Sequence, residues 1–188
     1  MGRAAKYDSE AILDAALTLV AEGGPQAATI GAIAGRLGAP TGSIYHRFAS
    51  RELILAELWI REIGRFQTGF IQALDSGDAE AAALHGVRWS RTHTAEATVL
   101  MLYRREDLCD RWPAELGARL RTINDSAAVA YRGFLALHPD IDPHRLDFAI
   151  FDLPFGAVRR HLAEGRPPPG WTDDLVRVAV KSILEQPR

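Results

Sequence analysis

The chain is expected to be all-α, on three observations. Apolar residues recur at three- and four-residue steps from Ile12 to Leu184, the spacing of one helix face after another. No segment shows the strict apolar/polar alternation of a half-buried strand. Gly, Pro, Ser, Thr and Asp fall between the periodic stretches, where they serve as helix stops and caps. The pattern divides into about nine helices: a three-helix head with a helix-turn-helix over residues 1–49, and a helical bundle over residues 50–188.

Asp8 or Ser9 opens the first helix, with acids in its first turn, and Ile12, Leu13, Ala16, Leu19 and Val20 form its apolar stripe. Gly23-Gly24-Pro25 ends it. Thr29 suits the N-cap of the second helix. Gly31 and Gly35 inside that helix each cost roughly 1 kcal/mol against Ala and are expected to mark close packing. Gly38-Ala39-Pro40 can make a sharp turn, because Gly ends one helix and Pro starts the next. Ile30, Ile33, Ala34 and Leu37 share a face before this turn, and Ile44, Tyr45 and Phe48 share one after it. The third helix should run from about Thr41 to Phe48.

Ser50 caps a long helix from Arg51 to about Leu74, roughly 36 Å at 1.5 Å per residue. Leu53, Ala56, Ile60, Ile63, Phe66, Phe70 and Leu74 form its stripe. Asp75-Ser76-Gly77-Asp78 breaks it. Further helices are expected from Ala79 to His93, from a Thr94 cap to about Leu108, and from Trp112-Pro113 until His138-Pro139-Asp140. Asp142-Pro143 pairs an N-cap with Pro at the first helical position. The run LDFAIFDLPFGAV that follows is apolar nearly all round, and Pro154 should kink it. Residues 165–170, GRPPPG, read as a stiff connector. Thr172 should cap the last helix, whose wide apolar face holds Leu175, Val176, Ala179, Val180, Ile183 and Leu184.

The 188 residues are 47% hydrophobic and 24% charged, an ordinary globular composition. No apolar run approaches the ~20 residues of a membrane span, and the N-terminus lacks the apolar core of a signal peptide, so a cytoplasmic location without membrane attachment is expected. The single cysteine, Cys109, excludes an internal disulfide framework and is expected to be a buried, inert thiol. No phosphate-binding loop, dinucleotide fingerprint, nucleophile elbow or His-Glu-x-x-His pair is present. An enzyme is therefore not expected. Neither is a cofactor, nor a metal, since His85, His93 and Glu96 fit no familiar ligand spacing. Net charge is −2, and residues 1–52 hold five bases and five acids. A nucleic acid would have to be bound by placed side chains and not by a basic field. Arg3 and Lys6 belong either to an arm reaching a phosphate or minor groove, or to a solvated tail.

Two crossed helices with a Gly-containing turn can place the second helix in a DNA major groove. In this chain Thr29, Ile33-Ala34, the run GAPTGSIYHRF and Ser50-Arg51-Glu52-Leu53 together resemble the DNA-binding signature of the tetracycline-repressor (TetR) family, over roughly residues 8–55. The resemblance implies a transcriptional regulator, most often a repressor. Such a protein binds a palindromic double-stranded DNA operator as a homodimer and leaves it when a small-molecule effector enters the bundle. The resemblance also implies phosphate contacts from Thr29, Tyr45, His46 and Arg51. Small residues at the start of the recognition helix, Thr41, Gly42 and Ser43, let it sit deep in a groove, where Thr and Ser can meet base edges or phosphate. Pro40 belongs to the same surface. Pro40-Thr41 departs from the polar and basic pair frequent in the family, which removes a cap and a charge.

The bundle holds residues that could line a ligand cleft: Trp59, Phe66, His85, Trp89, His93, Met101, Tyr103, Trp112 and Tyr131. An aromatic at helical spacing is, however, more often plain core than cleft lining. The apolarity of the helices at 143–164 and 172–186 exceeds what one small bundle can bury, which points to a two-fold interface through Phe151, Phe155, Val158, Leu175, Ala179 and Ile183. Two other readings stay open from sequence: a dimeric helix-turn-helix protein answering to a protein partner, and a ligand-binding bundle whose head does not read DNA.

Overall fold

The computed structural model describes residues 8–111 and 113–185; Arg3, Lys6 and Trp112 lie outside the described residues. Within them the chain is all-α, with twelve α-helical segments, one 3-10 turn and one π turn, and no strand. The head follows the caps. Asp8 Oδ1 accepts from the Ala11 N–H at 2.8 Å to start α1 (Ser9–Gly23). A 3-10 turn (Pro25–Ala27) follows, and Thr29 Oγ1 accepts from the Ala32 N–H at 3.1 Å to start α2 (Ile30–Leu37). Gly38 ends α2 at φ 61°, a left-handed conformation that costs Gly nothing. The regular part of α3 (Thr41–Tyr45) is shorter than the Thr41–Phe48 expected. The His46 and Phe48 N–H groups still reach Gly42 O and Ile44 O at 3.0 Å each, so a last turn runs on to Phe48. Gly31 and Gly35 do not mark close packing. A Cβ on either would meet nothing within 4 Å, because both lie on the outer face of α2.

α4 (Arg51–Asp75) starts on Ser50, whose Oγ accepts from the Leu53 N–H at 3.1 Å. It runs through both cores of the molecule. Ile54, Leu55, Leu58 and Trp59 join Ile12, Ile33, Ile44 and Phe48 in the head core, together with Val99, Leu108, Leu116 and Leu120 from later helices. Burying each such aliphatic side chain stabilises by about 1.5–3 kcal/mol. Farther along, Phe70 and Leu74 enter a second core with Leu84, Val87, Phe134, Leu146 and Val176. Hydrophobic packing is therefore continuous across the 49/50 boundary. Between the cores a charged clasp ties α1 to α4. Arg61 donates to Glu10 (3.0 Å), Asp14 (2.8 Å) and the wholly buried carboxylate of Glu62 (2.8 Å), which Arg65 also meets at 3.2 Å. Burial works against the Arg61 charge, but the bonds from Glu62, Glu10 and Asp14 outweigh it and raise its pKa.

α5 (Ala79–Thr92) crosses α4 where Gly69 leaves room for His85; a Cβ on Gly69 would lie 2.4 Å from the ring. Two of the long helices expected are each broken in two. The 94–108 segment becomes α6 (Thr94–Leu100) and α7 (Arg105–Arg111). The Leu100 carbonyl accepts from Trp59 Nε1 at 3.2 Å, and Asp107 caps the Arg104 N–H at 3.1 Å, which restarts the chain as a new helix. Thr94 does not cap α6; its hydroxyl donates back to Ser90 O at 3.2 Å. The next segment divides into α8 (Pro113–Thr122) and α9 (Asp125–Leu137) at Asn124, whose Oδ1 accepts from Gln67 on α4 at 2.9 Å.

Asp142 caps α10 (Pro143–Asp147), its Oδ1 accepting from the His144 N–H at 2.8 Å. A π turn (Phe148–Asp152) and α11 (Leu153–Ala163) continue it. Pro154 has no N–H, and in a plain α-helix its ring would press on the carbonyl four residues back. The Leu153 N–H bonds to Phe148 O instead, so the turn widens at the site of the expected kink. Arg91 holds the proline-rich connector on α5, donating to Pro168 O (2.7 Å) and Pro169 O (3.1 Å) and pairing with Asp173. Thr172 is the first residue of α12 (Thr172–Leu184) and not its cap; its Oγ1 is buried without a hydrogen-bond partner among the described residues. No helix among the described residues is long and apolar enough to cross a membrane.

Candidate nucleic-acid interface and effector cavity

Pro40, Thr41, Gly42, Tyr45, His46 and Arg47 all lie exposed on and just beyond α3, while Ile44 and Phe48 turn into the head core. Ser43 is half-buried beside them. Tyr45 is 57% exposed, so its ring is open to a partner. Thr29 is exposed although its oxygen caps α2, so its hydroxyl hydrogen is still available to an acceptor. Arg51 is differently employed. Its Nε donates to Ala28 O at 3.0 Å, its Nη2 donates to Pro25 O, and its Nη1 pairs with Glu52 at 3.2 Å. The guanidinium that the resemblance assigns to phosphate instead ties the start of α4 to the turn before α2. Arg36 is paired with Glu22. That leaves Arg47, next to His46 in the chain, as an exposed cation with no ion pair among the described residues; it lines a cleft with Glu10, Glu57 and Arg119. Sequence reasoning passed over it, and its position next to His46 was the available signal.

In the bundle, a cavity of about 330 Å³ opens between α4, α5, α6 and the helix 143–163. Ile63, Phe66, Trp89, Leu100 and Met101 line it from one side, and Ile150, Phe151, Pro154, Phe155 and Val158 from the other. Gly86 lets α5 and α11 meet here, 3.3 Å from its Cβ position to Pro154 Cβ. Of the ligand candidates, Phe66, Trp89 and Met101 line the wall. Trp59 does not: it belongs to the head core and donates to Leu100 O. His85 lies behind Phe66, its Nε2 donating to Phe66 O at 2.8 Å; burial lowers its pKa. His93 stacks on Trp89 at 5.2 Å, outside the wall. Tyr103 packs against the head core, and burial raises its pKa. Tyr131 donates its hydroxyl hydrogen to Asp147 at 2.6 Å; burial first, then this bond, raises its pKa. Among the described residues no cluster of His, Cys, Asp or Glu could hold a metal ion.

The interface candidates divide as well. Phe155 and Leu175 are exposed, the latter by 61%, as is Phe151. Ala179 and Ile183 are half-buried. Val158 is 5% exposed and faces the cavity, so it is core and not surface. Phe148, Trp171 and Val178, not singled out from sequence, are also exposed on the helix 143–163 and at α12. Phe148, Trp171, Leu175 and Ala179 line one apolar groove between those helices.

This geometry is that of a helix-turn-helix head on a ligand-sized helical bundle. Residues 12–58 match the family described as bacterial regulatory proteins, tetR family. The chain is similar in structure to the fatty acid degradation regulator FadR from Bacillus halodurans, with TM-score 0.68 and 16% identity over 100% of both chains. It is also similar to AmtR from Mycobacterium smegmatis (TM-score 0.59, 20% identity, 96% of this chain and 88% of that one). A third likeness is to PfmR, a TetR family transcriptional regulator from Thermus thermophilus (TM-score 0.59, 20% identity, 92% and 96%). A search of curated proteins gave no match. Residues 12–58 thus match the TetR-family DNA-binding head, and the whole chain has the fold of TetR-family transcriptional regulators.

Proposed function

We propose that the protein is a transcriptional repressor that binds a palindromic operator as a homodimer and is released by a small molecule entering the 330 Å³ cavity. It acts in the cytoplasm, where chromosomal DNA is. In this reading Thr41, Gly42 and Ser43 approach base edges, and Thr29, Tyr45, His46 and Arg47 hold phosphates. Arg51 positions the head from within. The exposed apolar groove along the helix 143–163 and α12 pairs with its copy about a two-fold axis, holding two recognition helices one DNA turn, roughly 34–36 Å, apart.

One observation carries the ligand control. Leu100 and Ile63 line the cavity and also pack on the head core, and the Leu100 carbonyl accepts from Trp59 inside that core. A ligand that moves α6 therefore moves α4 at the head. A coupling of about 1–3 kcal/mol gives 5–150-fold in operator affinity. An apolar cavity of this size supports a small-molecule effector over control by a protein partner. The test is a thermal-shift screen of small molecules, each hit then titrated into the protein–operator complex. Stabilising ligands should weaken operator binding without unfolding the protein. Ligands that bind tightly and leave operator affinity unchanged would overturn the reading.

A further inference from the structure

We infer that the cavity selects a hydrophobic amine, with Asp152 as its counter-charge, over a neutral or anionic ligand of the same shape. This rests on the reading of the cavity as the effector site and names the ligand class. Among the described residues Asp152 is the one ionisable side chain on the wall, which no Lys, Arg or His lines. Its carboxylate caps no helix and has no hydrogen bond or ion pair among the described residues. The rest of the wall is apolar and includes the rings of Phe66, Trp89, Phe151 and Phe155, which attract a cation through their faces. Ser90 already donates its hydroxyl hydrogen to Gly86 O at 2.7 Å, so it offers a ligand only an acceptor.

The backbone explains how a carboxylate comes to this wall. In a plain α-helix successive residues point about 100° apart, so one side would take Phe151, Phe155 and Val158 and leave Asp152 out. The π turn Phe148–Asp152 widens the helix there, and Ile150, Phe151 and Asp152 all reach the cavity, Asp152 from an exposed edge that it shares with the groove against α12. The wall thus combines negative charge with aromatic faces. A carboxylate ligand would meet the like charge of Asp152, whereas an ammonium finds a partner for its charge and its hydrogens.

The test compares 4-phenylbutylamine, 4-phenylbutan-1-ol and 4-phenylbutyrate by calorimetric titration of the intact protein. The amine should bind at least tenfold more tightly than the alcohol, and the acid more weakly than either. Asp152→Asn should bring the amine down to the alcohol's affinity. Met101→Trp, which fills the cavity from its margin, should weaken the amine and the alcohol alike. The proposal is overturned if the acid binds as well as the amine, if Asp152→Asn keeps the preference, if Met101→Trp changes nothing, or if none of the three binds. Titrating the amine into the operator complex separates the two readings. Selective binding with unchanged operator affinity would retire the effector reading and leave the ligand class standing.

Discussion

Replacing Arg61 with Met should destabilise the protein far more than an ordinary surface change, and a second substitution should undo the damage. The Arg61 side chain is 11% exposed and Glu62 beneath it is 0% exposed. Removing the guanidinium leaves Glu62 to Arg65 alone, at 3.2 Å, with its charge still out of water. Breaking a buried pair in this way costs about 3–5 kcal/mol. The links to Glu10 and Asp14, whose carboxylates are two-thirds exposed, add about 0–1 kcal/mol each. For a chain of this length the sum is a fall in Tm of roughly 6–28 °C. Arg61→Met with Glu62→Leu should recover most of it, because replacing both partners by apolar groups is often neutral. Circular dichroism melts of the single and double variants measure this. A double variant no more stable than the single one would refute the account of Glu62 as a stranded charge. The recovered variant still lacks the clasp between α1 and α4, so its operator affinity should stay several-fold below that of the parent.

Three further outcomes follow from the same geometry. Trp59→Phe deletes the bond to Leu100 O, worth about 0.5–1.5 kcal/mol; ligand binding should persist while the ligand-induced loss of operator affinity shrinks by about 2–13-fold, read by fluorescence anisotropy. Leu175→Glu, on a residue already 61% exposed, should leave the fold intact and convert the proposed dimer to monomer in sedimentation velocity. Burial disfavours the charged form of His85, so its folded pKa lies below the unfolded 6.5. The stability this contributes is present above pH 6.5 and is lost as pH falls through the folded value, and NMR titration should find the His85 ring titrating below 6.5.

The head was legible because its elements are set by local chemistry. Asp8, Thr29, Gly38 and Ser50 do at these positions what caps and turn residues do anywhere, although Tyr45, which the spacing groups with Ile44 and Phe48, turns outward from the head core. The bundle was less legible because long-range contacts decide its breaks. Nothing local marks Leu100 as a helix end, and the Asn124-Asp125-Ser126 cluster was outweighed by the apolar spacing on either side of it; at both breaks a side chain from α4, Trp59 or Gln67, makes a hydrogen bond. The same holds for function. Arg51 sits where a phosphate ligand is expected, but the carbonyls of Pro25 and Ala28 reach it first. Trp59 and Tyr103 carry the aromatic character of pocket residues yet pack in the head core. Phe151 and Phe155 read from sequence as interface alone, although they also face the cavity, which depends on the π turn before Pro154. Gly31 and Gly35 show that a glycine inside a helix need not mark a close approach, whereas Gly69 and Gly86 do.

The central claim, that α3 reads DNA in a two-fold pair, is tested most directly by selecting duplexes from a random-sequence pool with the purified protein and with its Tyr45→Ala/His46→Ala variant. The protein should enrich a palindrome whose half-sites are centred about 10–10.5 base pairs apart, or a multiple of that, and the folded variant should enrich nothing. Failure of the protein to enrich any sequence, or enrichment of the same palindrome by the variant, would contradict it.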